Sequence, residues 1–261
     1  MLETDDFIGE TLTLPLQVLF RDEHFIAVYK PAGLLVHRSK MTRPEEPVLL
    51  QALRDQVGAL VYPAHRLDRP TAGIVLFGLH SKAAAKLVEL FTLRQIDKYY
   101  QALVRGYTPA QFTIDRPLQD KYGEDWTPGS TQDNPLQDAK TDFTTLEQYQ
   151  VDWESNGFPT SRFSLLEIKP HTGRWHQIRR HLNHCANPVI GDHRHGDHRH
   201  NQMMHQKTGV YRMLLTAVRL DFRHPYTHEL MTVQAGRGSE FDKVIERLRQ
   251  ECGRASVPPQ A

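Results

Sequence analysis

One apolar run, GIVLFGL at 73 to 79, constrains this 261-residue sequence more than any other stretch. It is short, bounded by glycine and has no polar face, which is the pattern of a buried strand. SKAAAKLVELFTLRQ follows at once, with Ser81 placed as an N-cap and good helix formers behind it. Upstream, two strands are expected at 17 to 20 and 25 to 29, separated by the polar RDEH turn and closed by KPAG, before a loop that presents His37 and Arg38. PVLLQALRDQVG, from 47 to 58, places Leu50, Leu53 and Val57 on one helical face with Gly58 as its stop. Downstream, KYYQALVRG reads as a strand, 115 to 140 as a long surface excursion, and TDFTTLEQYQV with SRFSLLEIKP as a strand pair. HQIRRHLNHCANP is helical until Asn187 and Pro188 end it, MLLTAVRLDFRHP and ELMTVQAG make a hairpin around Pro225, and 239 to 250 is an amphipathic helix. Strands outnumber helices and several adjoin in sequence. The expected fold class is therefore α+β, with a mixed, largely antiparallel central sheet flanked by helices.

Composition narrows the class of function. A hydrophobic fraction of 39% and a charged fraction of 24% are those of an ordinary soluble globular chain. The start, MLETDDFIGETLTL, is acidic where a secretory signal is basic, and no apolar run approaches the ~20 residues of a membrane helix, so a cytoplasmic protein without membrane attachment is expected. Cys185 and Cys252 stand far apart and are expected as free thiols. The net charge of +1 announces no nucleic-acid partner, yet 171 to 200 holds Arg174, Arg179, Arg180, Arg194 and Arg199 against Asp192 and Asp197, with eight of the fifteen histidines.

Four segments carry candidate chemistry. KPAGLLVH, 30 to 37, reads by itself as a turn after a strand. HRLDRPTAGIVLFG, 65 to 78, crowds Arg66, Asp68 and Arg69 before the buried strand, so a rigid scaffold can hold Asp68 in a cleft. Nearby arginines should keep it ionised and able to form a covalent adduct, although a structural ion pair would use the same residues. In KPHTGRWHQIRRHLNH, 169 to 184, helical spacing pairs Gln177 with His181 and Arg180 with His184, and makes Ile178 and Leu182 the apolar side. Arg, His and Gln interleaved with Trp175 suit phosphate contact and base stacking; a merely solvated helix face is the alternative. GDHRHGDHRHN, 191 to 201, is dense enough in histidine to suggest zinc, but its spacing fits no closed structural site and no metal is expected.

Together these segments resemble a known family. HRLDRPTAG resembles the HRLDxxTSG signature of RluA-type pseudouridine synthases, KPAGLLVH their KPxGxxVH segment, KYYQALVRG their KxYxAxVxG segment and HTGRWHQIRRH their TGRxHQIRxH segment, in the same order across about 17 to 236. The resemblance implies the pseudouridine synthase catalytic fold, with its active-site cleft across the sheet. It implies Asp68 as the catalytic residue, Tyr100 as the aromatic ring beside the target base and Arg179 as the partner of the carboxylate. Arg66 becomes the residue that helps displace the flipped base, and Arg174, His176, Gln177, Arg194 and Arg199 become substrate-binding candidates. Ala72 and LLTA at 214 to 217 depart from the family pattern. The domain organisation expected is an extension at 1–15, a catalytic domain at 16–252 and a disordered tail at 253–261, with no separate RNA-binding module and no obligate protein partner. Isomerisation of uridine leaves composition unchanged, so no cofactor is expected. LVHRSK, RLDRPTAGIVLFGLHS and NPVIGDHRHGDHRHN are most similar to the branch acting on uridine 65 of tRNA. Rival readings are a sister enzyme for ribosomal RNA, a non-catalytic RNA-binding protein, and a hydrolase pairing His65 with Asp68.

Overall fold

The computed structural model describes residues 12–38, 43, 45–119, 135–155 and 157–252. Most of the expected N-terminal extension and the whole expected tail lie outside the described residues. Strands β1 (Val18–Arg21) and β2 (Phe25–Lys30) lead to helix α1 (Leu49–Val57), then β3 (Tyr62–Pro63), β4 (Ala72–Gly78), α2 (Ser81–Thr92), β5 (Ile96–Arg105) and β6 (Gln111–Asp115). A two-residue pair, β7 (Leu118–Gln119) and β8 (Leu136–Gln137), flanks the undescribed part of the excursion. The chain continues through β9 (Lys140–Val151), β10 (Ser161–Pro170), α3 (Gln177–His184), α4 (His198–Thr208), β11 (Leu215–Arg223), β12 (Leu230–Gln234) and α5 (Ser239–Glu251). The main sheet runs β1-β2-β4-β11-β5-β10-β9-β6, with β12 on β11 and β3 on β4. Its one parallel contact among the described strands, Thr216 beside Ala72 and Ala217 beside Gly73, joins the two halves. The α+β class and the mixed, largely antiparallel sheet are as the sequence indicates.

β4 explains why its apolar run has no polar face. Val75 and Phe77 pack with Leu49 and Leu53 of α1, whereas Ile74 and Leu76 pack with Leu87 of α2. On the other half, Leu103, Phe163 and Leu165 meet Met203 and Met204 of α4 and Phe241, Ile245 and Leu248 of α5, while Ala102, Leu166 and Ile168 meet Ile178 and Leu182 of α3. Each such fully buried side chain contributes about 1.5–3 kcal/mol, so a charge introduced at Ile74 or Phe163 would unfold the domain.

Three local expectations need correction. The cap of α2 is His80, whose Nδ1 accepts from the Ala83 N–H at 3.2 Å, and not Ser81; a ring nitrogen reaches the open helix end as a hydroxyl would. In α1 Leu49 joins Leu53 as a fully buried position, while Leu50 and Val57 pack partly buried against the same cluster. α4 was not anticipated: Asp197 caps it by accepting from the Arg199 and His200 N–H groups, a signal hidden within the histidine-rich run. Gly73 shows what the sheet demands of its junction. With φ at 117° and a Cβ position 2.2 Å from Ala217 O, only glycine lets β4 approach β11 here.

Candidate active site

Residues 64 to 71 link β3 to β4, and the turn closes when the Thr71 N–H donates to Asp68 O at 3.0 Å. The loop is tied to the KPAG turn by a fully buried ammonium. Lys30 Nζ donates to Pro31 O, Leu34 O and Arg69 O at 3.0, 2.8 and 3.1 Å, and the Gly33 N–H adds a bond to Arg69 O at 2.8 Å. Arg69 returns the contact through Nε to Gly33 O at 3.0 Å and pairs with Glu46 at 2.5 Å. KPAG is therefore more than the simple turn its residues suggest; it is half of a clamp that fixes the segment bearing Asp68. His65 Nε2 accepts from the Leu76 N–H at 3.1 Å, and burial with the charge of Lys98 pushes its pKa down to about 3. The imidazole serves strand β4, so the pairing with Asp68 that a hydrolase needs is not made.

Asp68 opens into a cavity of about 680 Å³ walled by the 64–71 loop, the end of α2, β5 and residues 170 to 179. Tyr100, from β5, and Arg179, from α3, line the same space. Arg179 Nη1 donates to Asp68 Oδ2 at 3.3 Å, while its Nε and Nη2 make shorter bonds to Asp192 at 2.6 and 2.8 Å. Asp192 also accepts from the Arg194 and His195 N–H groups. Gly191, with φ at 79° and a Cβ position 2.2 Å from Arg212 O, lets that loop close on the site.

Electrostatics here differ from the sequence expectation. Burial would raise Asp192, but Arg179 and the backbone donors outweigh it and hold its pKa low. For Asp68 burial wins: its carboxyl lies above the ordinary aspartate value although Arg179 and Arg66 pull it down, and Asp192 adds to the rise. The arginines therefore do not hold the Asp68 pKa below its ordinary value as their proximity in sequence suggests: burial outweighs them, and Arg179 makes its shorter bonds to Asp192. Burial, followed by the charge of Asp68, pushes the Tyr100 phenol up, so the ring acts here as a neutral surface.

The remaining candidates divide. His176 immediately precedes α3 at φ 51°, stacks on Trp175 at 3.7 Å, and lies 3.8 Å from Asp68 Oδ2 and 2.9 Å from His195 Nε2. Burial and Arg179 push its pKa down, so it faces the cavity as a neutral ring. Gln177 lines the cavity but spends its whole amide on architecture: Oε1 accepts from Thr172 Oγ1 and the Arg174 N–H, and Nε2 donates to Lys140 O and Thr141 Oγ1. His181 likewise bonds Thr141 Oγ1 and Arg116 O, so the Gln177–His181 side of α3 is buried, while Arg180 is half-buried and His184 exposed. Arg66 and Arg174 lie on the cavity wall, with Arg174 Nε donating to Asp138 O at 3.0 Å. The Arg194 guanidinium sits over Trp175 at 4.8 Å, and Arg199 is exposed in the first turn of α4, outside the cavity lining. The histidines of 193 to 200 disperse: His193 stacks on Tyr211, His195 meets His176 and His200 pairs with Asp197. Among the described residues no group of three His, Cys, Asp or Glu side chains is arranged to hold a metal ion. Both cysteines are free thiols. Sequence reading missed Lys30, Asp192 and Lys98. Of these Lys30 left a signal as the first residue of KPAGLLVH, and Lys98 another, standing two residues before Tyr100 on one strand and so on the same side.

Comparison with known proteins gives the family and the fold. The family model described as RNA pseudouridylate synthase matches residues 24–184. The chain is 43% identical over 239 residues to tRNA pseudouridine synthase C of Pasteurella multocida, covering 89% of this chain and 96% of that protein. It is 40% identical over 233 residues to the protein of the same name from Vibrio vulnificus, covering 89% and 94%. The solved structure of human RNA pseudouridylate synthase domain containing 1 shares the fold, with a TM-score of 0.66 at 24% identity over 93% of this chain and 96% of that one. No described helix is long and apolar enough to cross a membrane. With HRLD held at a cleft against Arg179 and Tyr100, and with matches spanning most of the chain, this protein belongs to the RNA pseudouridylate synthase family.

Proposed function

We propose that this chain isomerises a uridine of tRNA, at position 65 by the resemblance of its motifs, to pseudouridine, with Asp68 as the essential carboxylate. The observation that carries the reading is the convergence of Asp68, Tyr100 and Arg179 on one cavity of nucleotide size. The shared name of the relatives supports tRNA as the substrate. A stacked base cannot be reached, so the target nucleotide is extruded at a cost of a few kcal/mol. Arg66, Arg174, Arg194 and Arg199 offset that cost through the RNA backbone, and Tyr100 receives the base as a flat neutral surface. Asp68 then enables cleavage of N1–C1′; the uracil turns and rejoins through C5, which gives up its proton while N1 gains one. Arg179 steadies Asp68, and His176 and Gln177 shape the wall. Residues 16 to 252 act as one catalytic unit in the cytoplasm, where tRNA is found.

Mapping pseudouridine in total RNA from cells with and without this protein tests the reading. Loss of one tRNA site supports it; loss of a ribosomal RNA site instead gives the substrate to the sister reading. If purified protein forms no pseudouridine in any RNA, the catalytic assignment fails.

A further inference from the structure

Lys98 and Lys30 are both half-hidden or buried ammonium groups near the Asp68 loop, and the fold treats them differently. Lys30 has three carbonyl acceptors within 3.1 Å. Lys98 Nζ donates to Thr172 O at 3.4 Å, a long contact for a group with three N–H bonds to make. Its neighbour in sequence, Asp97, is engaged by Lys169 Nζ at 2.8 Å. Arg94 and Arg66 line the same cavity, and Asp68, already in contact with Arg179, is the sole carboxylate among the described lining residues. Burial and then Arg94 both push the pKa of Lys98 down. A cation set among like charges with little solvent costs free energy until an anion joins it.

We infer that Lys98, with Arg94 at the lip, forms an anion subsite that takes a backbone phosphodiester of the RNA beside the extruded uridine. The inference rests on the reading of the cavity as a uridine site. Position favours this ligand: Lys98 and Tyr100 leave β5 on the same side, so a base beside Tyr100 brings its own backbone within reach of Lys98. Arg174, of the 171 to 200 segment, stands on the same cavity wall, so Lys98 and Arg94 extend that cationic surface from β5 and the turn before it. A compact ammonium suits a phosphate oxygen, whereas recognition of a base edge would call for paired donor and acceptor groups.

The test uses the whole protein with Lys98→Met and Lys98→Arg, and tRNA transcripts carrying a single neutral methylphosphonate on either side of the target uridine. For Lys98→Met we expect RNA binding about tenfold to thirtyfold weaker. The plot of log affinity against log salt should become shallower by about one phosphate's worth. Lys98→Arg should retain most of the affinity. Wild type should lose affinity at one methylphosphonate position, and Lys98→Met should lose nothing more there. The melting temperature of Lys98→Met should not fall, since no well-made bond is removed. Wild-type affinity and slope in Lys98→Met, a further full loss with methylphosphonate, or a lower melting temperature with unchanged RNA binding would each overturn the subsite. Absence of pseudouridine formation by wild type would instead strike the functional reading, so the two failures are distinguishable.

Discussion

Asp192 and Asp68 contact different edges of the same Arg179 guanidinium. The Asp192 side chain is 1% exposed, takes the Nε and Nη2 bonds and accepts two backbone N–H groups besides. The Asp68 side chain keeps 26% of its surface open to the cavity and receives one longer contact from Nη1. The first carboxylate is held low in pKa and the second is raised, although both are aspartates beside one arginine. Proximity to a cation is thus a poor guide to ionisation when that cation is shared. The buried aspartate fixes the arginine, and the open one is left with capacity to react.

The sharpest way to break this comparison is Asp68→Asn. The amide keeps the shape but cannot act as a nucleophile, so single-turnover rates should fall by at least about a thousandfold while RNA affinity stays within about tenfold. Substantial pseudouridine formation by the variant would remove Asp68 from its role.

Asp192→Asn should act in the opposite sense, on stability first. Breaking one partner of a buried pair typically costs about 3–5 kcal/mol, and denaturant unfolding should show a loss of that order at neutral pH. Because the Asp192 pKa is depressed in the fold, this contribution is present above its ordinary value of 3.8 and is lost as pH falls through the folded pKa, so the gap between wild type and variant should narrow in acid. The same substitution removes a negative charge that raises Asp68, and the acidic limb of the turnover profile should move to lower pH. Arg179→Leu is expected to harm both catalysis and folding, because it would leave Asp192 buried without its cation.

A smaller effect concerns the stability of the open side. The folded pKa of Asp68 is raised, so stability falls as pH climbs from 3.8 through the folded value; Asp68→Asn should melt higher than wild type at neutral pH and equally below that window. Equal melting temperatures at both pH values would show that Asp68 is not under electrostatic stress.

The loop that anchors Asp192 should contribute least. Arg194→Ala and Arg199→Ala together should weaken RNA binding by a few fold and flatten the salt dependence, with Arg194, seated over Trp175 beside the cavity, the larger part. Chemistry on saturating RNA should persist. If the double variant binds normally while chelators inactivate wild type, the histidines of 191 to 201 act through a metal after all.

Much of the molecule was written locally. Apolar spacing sufficed for β4, β5, β9, β10 and α5, because each buries a face whose period the chain itself displays. The HRLD, KYYQ and HQIR segments marked Asp68, Tyr100 and Arg179 before any contact was known. Only the tertiary structure decided what those segments do to one another. Lys30 joins KPAG to the Asp68 loop through carbonyls that leave no trace in a sequence, and Asp192 reaches Arg179 across a loop closed by Gly191. Gln177 and His181 looked like a surface because polar spacing does not reveal which face a neighbouring strand covers. The direction of the Asp68 pKa followed from burial and from how one guanidinium is divided between two carboxylates, quantities that depend on distances in space and not along the chain.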